Sequence, residues 1–353
     1  MMPDSVADTR SAIITEFFPH GIPELWCPLL THYRNDRGAV DLERVRAHLA
    51  HLAPVVKTFL APGSTGDGWE MTEQQQQQLV EQLCTIAAEL DLWIMVGVLR
   101  TGRGEARASI VQATAGLDVP TGDFVGAARA LAARRICGFT VTPPKGANLT
   151  QPEIHDELTA VAELGVPLSF YQLPQVTGNE MTPETVAALA QRWPNFYLFK
   201  DTSGADRVAK AGLDYQDLFL VRGAEQEYAD WHHSGGGPYN GFLLSTANCF
   251  ARPFSEMLAA LRSGDRPAAN AISDRISRVV ERVFSAAAGL SFGNPFSNAN
   301  RAIDHVLAHG SEAQTAPPPF TCSGKRLPPQ LIELAYQELD RQSFAPDRGY
   351  LHG

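Results

Sequence analysis

The sequence predicts an α/β fold in which eight β/α units close into a (β/α)8 barrel, followed by a C-terminal helical extension. Short apolar runs of strand length alternate with helix-patterned segments, as they do in proteins built on a parallel sheet. Eight such runs precede Phe254, and the chain beyond this residue has a helical pattern. A length of 353 residues is compatible with one barrel that carries appendages.

The first half of the chain supplies four predicted strands, each followed by a predicted helix. Asp41 is a suitable N-cap for the first of these helices, and Thr72 for the second, which begins at residue 73. The stretch 116–122 is irregular and predicts an insertion before the fourth strand. The predicted strands are 25–30, 55–60, 92–99 and 136–142, and the helices are 42–52, 73–90, 106–115 and 124–135.

The second half continues the alternation and then becomes helical. Its predicted strands are 167–171, 196–200, 218–222 and 240–244, and its helices are 151–164, 183–192, 205–212, 225–232, 268–287, 299–309 and 328–341. Residues 1–20 lack a comparable pattern and are predicted to be a loosely held lead-in. The predicted organisation is therefore a lead-in over 1–20, a barrel over 21–255 and a helical region over 256–353.

Composition excludes several classes of function. The net charge of −10 comes without a basic block, which argues against a nucleic-acid partner. The five cysteines are scattered without a CxxC pair, as expected of reduced thiols in a cytoplasmic protein. No apolar run is long enough to span a bilayer, and the N-terminus lacks the apolar core of a signal peptide. His232 and His233 have no further ligands at metal spacing, so we predict no metal site.

Two residues with catalytic potential end neighbouring strands. Lys200 ends the apolar run 196–200, where poor solvation favours the uncharged, nucleophilic amine. From this window alone, a surface lysine just past a strand end is the favoured interpretation. Tyr171 ends the preceding strand, so a parallel barrel would place its phenol beside the amine, within reach for proton transfer. Gly63 and its glycine-rich loop could approach a ligand closely, although an ordinary turn is the simpler interpretation.

Five short motifs follow one another along the chain. They are GSTGDG (63–68), TPP (142–144), FYQLP (170–174), FKDTSG (199–204) and GFLLSTAN (241–248). In the order and spacing of these motifs, over residues 25–309, the chain resembles the pyruvate-dependent class I aldolases of the N-acetylneuraminate lyase and dihydrodipicolinate synthase family. Five motifs in the same order and spacing are more specific than any single one, so the resemblance favours a catalytic Lys200 over a surface lysine.

The resemblance implies a TIM barrel that usually assembles as a homotetramer of dimers. It implies that Lys200 forms a Schiff base with the keto carbon of a 2-oxo acid and that Tyr171 relays protons. Gly63, Ser64 and Thr65 would hold the carboxylate of that small-molecule substrate. No metal or organic cofactor is implied, because the protonated imine itself accepts the electrons released at the neighbouring carbon.

Departures from the family pattern concern the rest of the substrate. Dihydrodipicolinate synthases carry an arginine five residues beyond the tyrosine, where this chain has Val176. They also carry a tyrosine pair after the fourth strand, where Pro144 and Lys145 stand here. The absence of the arginine argues against synthase activity. Lys145 could contact an anion or lie solvated in the loop.

Other positions are more similar to the sugar-acid lyases. The resemblance implies that Thr202, Glu225 and Ser245 select the hydroxylated part of the substrate, and that Leu243 packs beside the bound oxo acid. The segment 223–226 matches a Gly-x-Asp-Glu segment only in part.

Four functions remain open at this stage. The first is a lyase or aldolase that releases or uses pyruvate and acts on a hydroxylated 2-oxo acid. The second is a dehydratase of a keto-deoxy sugar acid that uses the same imine. A dihydrodipicolinate synthase is disfavoured by Val176. A non-catalytic, ligand-binding barrel would fit the loss of the tyrosine pair, but not the presence of both Lys200 and Tyr171.

Overall fold

The computed structural model describes residues 5–352, and its eight strands form a closed parallel barrel in chain order. This confirms the predicted fold class. Nearly every strand residue is buried, as is typical of parallel sheets, whose strands are covered on both faces. The strands are β1 (Leu25–Pro28), β2 (Thr58–Ala61), β3 (Trp93–Val98), β4 (Ile136–Val141), β5 (Leu168–Gln172), β6 (Phe196–Asp201), β7 (Phe219–Arg222) and β8 (Gly241–Leu243).

The helices alternate with these strands and continue beyond β8. They are α1 (Val6–Phe17), α2 (Leu42–Leu52), α3 (Glu73–Leu90), α4 (Glu105–Thr114), α5 (Phe124–Ala132), α6 (Gln151–Ala162), α7 (Pro174–Thr177), α8 (Pro183–Arg192), α9 (Arg207–Lys210), α10 (Tyr228–Trp231), α11 (Ala247–Arg262), α12 (Arg266–Ala288), α13 (Pro295–His309) and α14 (Pro329–Arg341). Short 3₁₀ turns cover His233–Gly235 and Tyr350–His352. No helix among the described residues is both long and apolar enough to cross a bilayer.

Capping explains where several helices begin. Asp41 accepts a hydrogen bond from the backbone N–H of Arg44, which fulfils its predicted role as the N-cap of α2. Helix α13 begins four residues before its predicted start because Asn294 caps it and Pro295 occupies the first position. Proline suits that position, since the N–H that it lacks would have no partner inside the helix.

The largest difference from the predicted elements is α1, which lies within the segment predicted to be a loose lead-in. Arg10 on this helix is 1% exposed, and its guanidinium donates hydrogen bonds to backbone carbonyls. The acceptors are Phe196 (3.0 Å), Trp193 (3.1 Å), Ala190 (2.5 Å) and Gln216. Burial lowers the pKa of Arg10 to about 10. An arginine in a polar segment indicates a surface residue, so no local pattern predicted this anchor.

The described chain is organised as two compact units, each assembled from segments that are distant in sequence. The first unit comprises residues 5–24, 83–224 and 238–243 and contains β3–β8. The second comprises residues 25–82, 225–237 and 244–352 and contains β1, β2 and α10–α14. The predicted boundaries at residues 20 and 255 stay predictions.

We expect Arg10→Ala to lower the free energy of unfolding by about 3 kcal/mol, because several buried carbonyls lose a charged donor. Urea denaturation followed by circular dichroism measures this change. Arg129→Ala is the matched control. Arg129 also forms an ion pair with α1, through Glu16, but its side chain is 70% exposed. Equal losses of stability in the two variants would contradict the anchoring role of Arg10.

Candidate active site

Lys200 and Tyr171 are neighbours in the first unit, as the strand order predicts. They stand opposite each other in the parallel pairing of β6 with β5. The ammonium nitrogen Nζ of Lys200 lies 4.2 Å from the centroid of the Tyr171 ring. Lys200 is 4% exposed and Tyr171 is 3% exposed. A buried amine in contact with a phenol ring can act as a nucleophile beside a proton carrier.

Gly223, which follows β7, leaves the space that the Lys200 side chain occupies. A Cβ atom at this position would lie 2.9 Å from Cε of Lys200 and 2.3 Å from Cγ2 of Thr202. The backbone N–H of Gly223 donates to the carbonyl of Asp201 at 2.7 Å, which holds the glycine against β6. The sequence indicated only a partial motif match here, and not a steric requirement.

A buried polar network lies at the ends of β6 and β7 in the same unit. The hydroxyl of Tyr239 donates to Oδ1 of Asp206 at 2.7 Å and lies 3.4 Å from Oδ2 of Asp201. Arg222 donates from Nε to Asp206 at 3.1 Å. Burial raises the pKa of Asp201, and the nearby Asp206 adds to this effect. The network fixes the strand residue that directly follows Lys200, and sequence reasoning missed it.

Thr202 and Leu243 also belong to this unit. The Thr202 hydroxyl donates a hydrogen bond to the carbonyl of Gln172 at 2.8 Å, and this bond joins the ends of β5 and β6. The lone pairs of this hydroxyl oxygen could still accept a hydrogen bond. Leu243 is 1% exposed at the end of β8, as suits an apolar packing residue. Their proposed contacts with a substrate stay predictions.

In the second unit, the turn after β2 presents donors without acceptors. Within the described residues, the backbone N–H groups of Ser64 and Thr65 have no hydrogen-bond acceptor. The N–H groups of Gly66 and Gly68, in contrast, both donate to the carbonyl of Gly63, at 3.0 and 2.9 Å. Adjacent unpaired N–H groups in a turn are suited to binding a carboxylate.

Ser64 is anchored through its other polar groups. The Ser64 hydroxyl accepts a hydrogen bond from Nε1 of Trp69 at 2.8 Å, and the Ser64 carbonyl accepts one from Ser297 at 3.3 Å. The close backbone approach occurs at Gly66, where a Cβ would lie 2.5 Å from the carbonyl oxygen of Leu29. At Gly63 a Cβ would come no closer than 3.4 Å to any neighbouring atom, which is ordinary contact.

Glu225 and Ser245 lie together, also in the second unit. Glu225 accepts hydrogen bonds from the hydroxyls of Ser245 (2.6 Å), Thr246 (2.6 Å) and Tyr228 (3.0 Å), and from the backbone N–H of Thr246 (3.2 Å). Burial raises the pKa of Glu225, while these donors oppose the shift. Four donors match the acceptor capacity of a carboxylate. A substrate hydroxyl would therefore have to compete with groups of the protein.

Two histidines and an aspartate in the second unit are close enough together to form a metal site. His32, His48 and Asp304 are buried, and their potential ligand atoms lie within 4.8 Å of one another. The Asp304 carboxylate, however, accepts hydrogen bonds from Arg44 at 2.5 Å and from Tyr350 at 2.6 Å. An arginine bound to the same carboxylate would repel a divalent cation. The donor set suits a hydrogen-bonded network rather than a metal ion.

Comparisons with known proteins agree on one family. Residues 121–292 match the model of the dihydrodipicolinate synthetase family. The 4-hydroxy-tetrahydrodipicolinate synthase of Methanospirillum hungatei is 25% identical over 262 residues, which cover 72% of this chain and 82% of that protein. The synthase of the same name from Agrobacterium fabrum is 27% identical over 271 residues, covering 76% of this chain and 83% of the relative.

Solved structures share the fold. Dihydrodipicolinate synthase from Bacteroides thetaiotaomicron superposes with a TM-score of 0.71 at 18% identity, covering 91% of this chain and 99% of that chain. A prophage protein of the dihydrodipicolinic acid synthase family from E. coli K12, solved in complex with pyruvate, gives a TM-score of 0.68 at 16% identity. That comparison covers 92% of this chain and 100% of the other.

The histidine cluster predicts a pH-dependent stability. Burial, reinforced by Arg44, holds the pKa of His32 well below its usual value. His32 therefore stays neutral in the folded chain while the unfolded chain binds a proton, so its contribution is complete above about pH 6.5 and lost below it. We expect His32→Gln to reduce the slope of unfolding free energy against pH by about 1.4 kcal/mol per unit between pH 6 and 5.

Denaturant titrations at several pH values measure this slope. His20→Gln, at an exposed position, is the control and should leave the slope unchanged. An unchanged slope in His32→Gln would show that His32 does not contribute to acid sensitivity.

Proposed function

Because the chain belongs to the dihydrodipicolinate synthetase family of aldolases and lyases, we propose that it forms an imine between Lys200 and the keto carbon of a 2-oxo acid. The observation that carries this proposal is the contact between the buried Lys200 amine and the Tyr171 ring at the ends of adjacent strands. The two residues stand where a barrel of this kind holds its catalytic groups.

The proposed reaction starts when the neutral Lys200 amine attacks the keto carbon and forms a carbinolamine. Tyr171 donates a proton to the departing hydroxyl, which leaves as water and yields the protonated imine. Tyr171, left deprotonated by that step, takes the proton of the C4 hydroxyl as the C3–C4 bond breaks, so that C4 leaves as an aldehyde and the electron pair of the bond moves into the imine to form an enamine. The proton that Tyr171 then holds is available for C3. Protonation at C3 and hydrolysis return pyruvate and the free amine. The reverse sequence condenses pyruvate with an aldehyde, and neither direction requires a metal or organic cofactor.

We assign carboxylate binding to Ser64 and Thr65. Their unpaired backbone N–H groups support this assignment, since a carboxylate needs several donors and this turn offers two adjacent ones. Gly63 contributes as the residue whose carbonyl closes the turn. Thr202, Glu225, Ser245 and Leu243 remain the candidates for selecting the rest of the substrate.

The proposed substrate is a hydroxylated, sugar-acid-like 2-oxo acid. The second candidate is condensation of pyruvate in a 4-hydroxy-tetrahydrodipicolinate synthase reaction, which the names of the curated relatives favour. Val176, where an arginine would bind a second carboxylate, opposes that candidate. The comparisons do not favour the dehydratase. Release of pyruvate from a panel of hydroxylated 2-oxo acids, measured beside consumption of pyruvate with the synthase's aldehyde substrate, separates the two candidates.

We further propose that the protein is cytoplasmic and that it assembles as a homo-oligomer, either a dimer or a tetramer.

We expect borohydride reduction in the presence of pyruvate to add one reduced pyruvyl group to Lys200. Intact mass and peptide mapping measure the adduct, and Lys200→Ala should abolish it. Tyr171→Phe should slow its formation by roughly 10²-fold or more, since proton transfer is lost. Lys57→Ala, which removes an exposed lysine, is the matched control and should retain the adduct. A wild-type protein without adduct, with pyruvate and longer 2-oxo acids alike, would refute the proposed function.

We expect Gly223→Ala to reduce adduct formation by roughly 10²-fold, because the new Cβ displaces the Lys200 side chain. The same trapping assay measures the loss. The double variant Gly223→Ala/Thr202→Ser removes the clash with Thr202 Cγ2 and leaves the one with Lys200. Full recovery of trapping in this double variant would show that Gly223 does not act through Lys200.

A further inference from the structure

A buried arginine holds the turn that carries Ser64 and Thr65. Arg301, on α13, is 1% exposed. Its Nη2 donates to Oδ2 of Asp67 at 2.5 Å and to the carbonyl of Thr31 at 3.0 Å. Among the described residues, its Nε and Nη1 atoms have no hydrogen-bond partner. The guanidinium therefore depends on two acceptors, and both belong to this part of the second unit.

Both acceptors are connected to the turn. Asp67 lies two residues beyond Thr65, and its backbone N–H donates to the carbonyl of Ser64 at 3.2 Å. Thr31, whose carbonyl binds Arg301, also donates its hydroxyl to the carbonyl of Gly66 at 2.8 Å. Arg301 thus holds the turn directly through Asp67 and indirectly through Thr31.

The backbone of the turn needs such support. Asp67 adopts a left-handed conformation with φ of +58°, which is unfavourable for most residues other than glycine. A residue in this conformation persists where its surroundings enforce it. The ion pair with Arg301 supplies that constraint on the side chain, and the bond to Ser64 supplies it on the backbone.

We propose that Arg301 is a positioning residue that holds the N–H groups of Ser64 and Thr65 in the arrangement that binds the carboxylate of a 2-oxo acid. The inference rests on the proposed function and deepens it, because Arg301 acts through Asp67 and Thr31 and does not touch the substrate. A buried ion pair is often no more stabilising than an apolar pair of similar volume. A role in geometry accounts for retaining two charges in the interior.

Two variants test the proposal by different routes. Asp67→Asn keeps the shape of the side chain and tolerates the left-handed backbone, but it removes the negative partner of Arg301. Arg301→Lys keeps the positive charge but replaces the planar, multi-donor guanidinium with a compact point charge. If one variant fails to fold, the other still decides the question.

The measured quantity is the pyruvate concentration that gives half-maximal borohydride trapping, together with the maximal trapping rate. We expect half-saturation to rise about tenfold or more in both variants while the maximal rate stays within about twofold, because carboxylate binding is impaired and Lys200 is not. If Arg301 had only a structural role, its substitution would lower the melting temperature but would not raise half-saturation while leaving the maximal rate unchanged. Arg44→Lys is the matched control, since Arg44 pairs with the buried Asp304 in the same unit. It should leave half-saturation unchanged.

Unchanged half-saturation in a folded Asp67→Asn or Arg301→Lys variant, with normal trapping by the wild type, would overturn the role of Arg301 alone. An equal rise in Arg44→Lys would also overturn it, because the effect would then reflect general destabilisation. Absence of trapping in the wild type would refute the proposed function, and this inference with it.

Discussion

Burying the amine of Lys200 is the constraint on which the rest of the candidate site depends. An ammonium group loses hydration when it leaves water, so a lysine that is 4% exposed requires surroundings that accept it. The pairing of β5 with β6 supplies the Tyr171 ring beneath the amine. Gly223 supplies space beside the side chain, since any Cβ there would meet Lys200. Strand register and one glycine together determine where the nucleophile stands.

Buried polar networks hold parts of each unit in place. At the ends of β6 and β7, Asp206 binds both Tyr239 and Arg222, so the buried charges are paired rather than isolated. In the second unit, Asp67 binds Arg301, and the carbonyls of Gly63, Ser64 and Gly66 in the turn after β2 accept hydrogen bonds. The N–H groups that remain unpaired in that turn are therefore held in one arrangement. Such preorganised donors are what binding of an anion requires.

The sequence was informative where the signal is local or depends on chain order. Apolar runs and their alternation with helices predicted the strands, because a buried parallel strand needs consecutive apolar residues. The neighbourhood of Tyr171 and Lys200 followed from chain order, since successive strands of a (β/α)8 barrel lie side by side. The prediction of helix ends was less accurate. Helices α9 and α10 are each four residues long, whereas eight residues were predicted for each. The roles of the individual site residues stay predictions.

By itself, then, the sequence determined the fold class, the order of the strands and the approximate position at which each strand ends, because these depend on hydrophobic pattern and connectivity. Tertiary structure alone decided which polar side chains are buried and what they bind. Arg301 and Asp67 are 234 residues apart, and Arg10 and Phe196 are 186 apart, so no local pattern relates them. A charged residue becomes an anchor only when folding removes its water and leaves it a single set of partners. That partner set is a property of the packed chain.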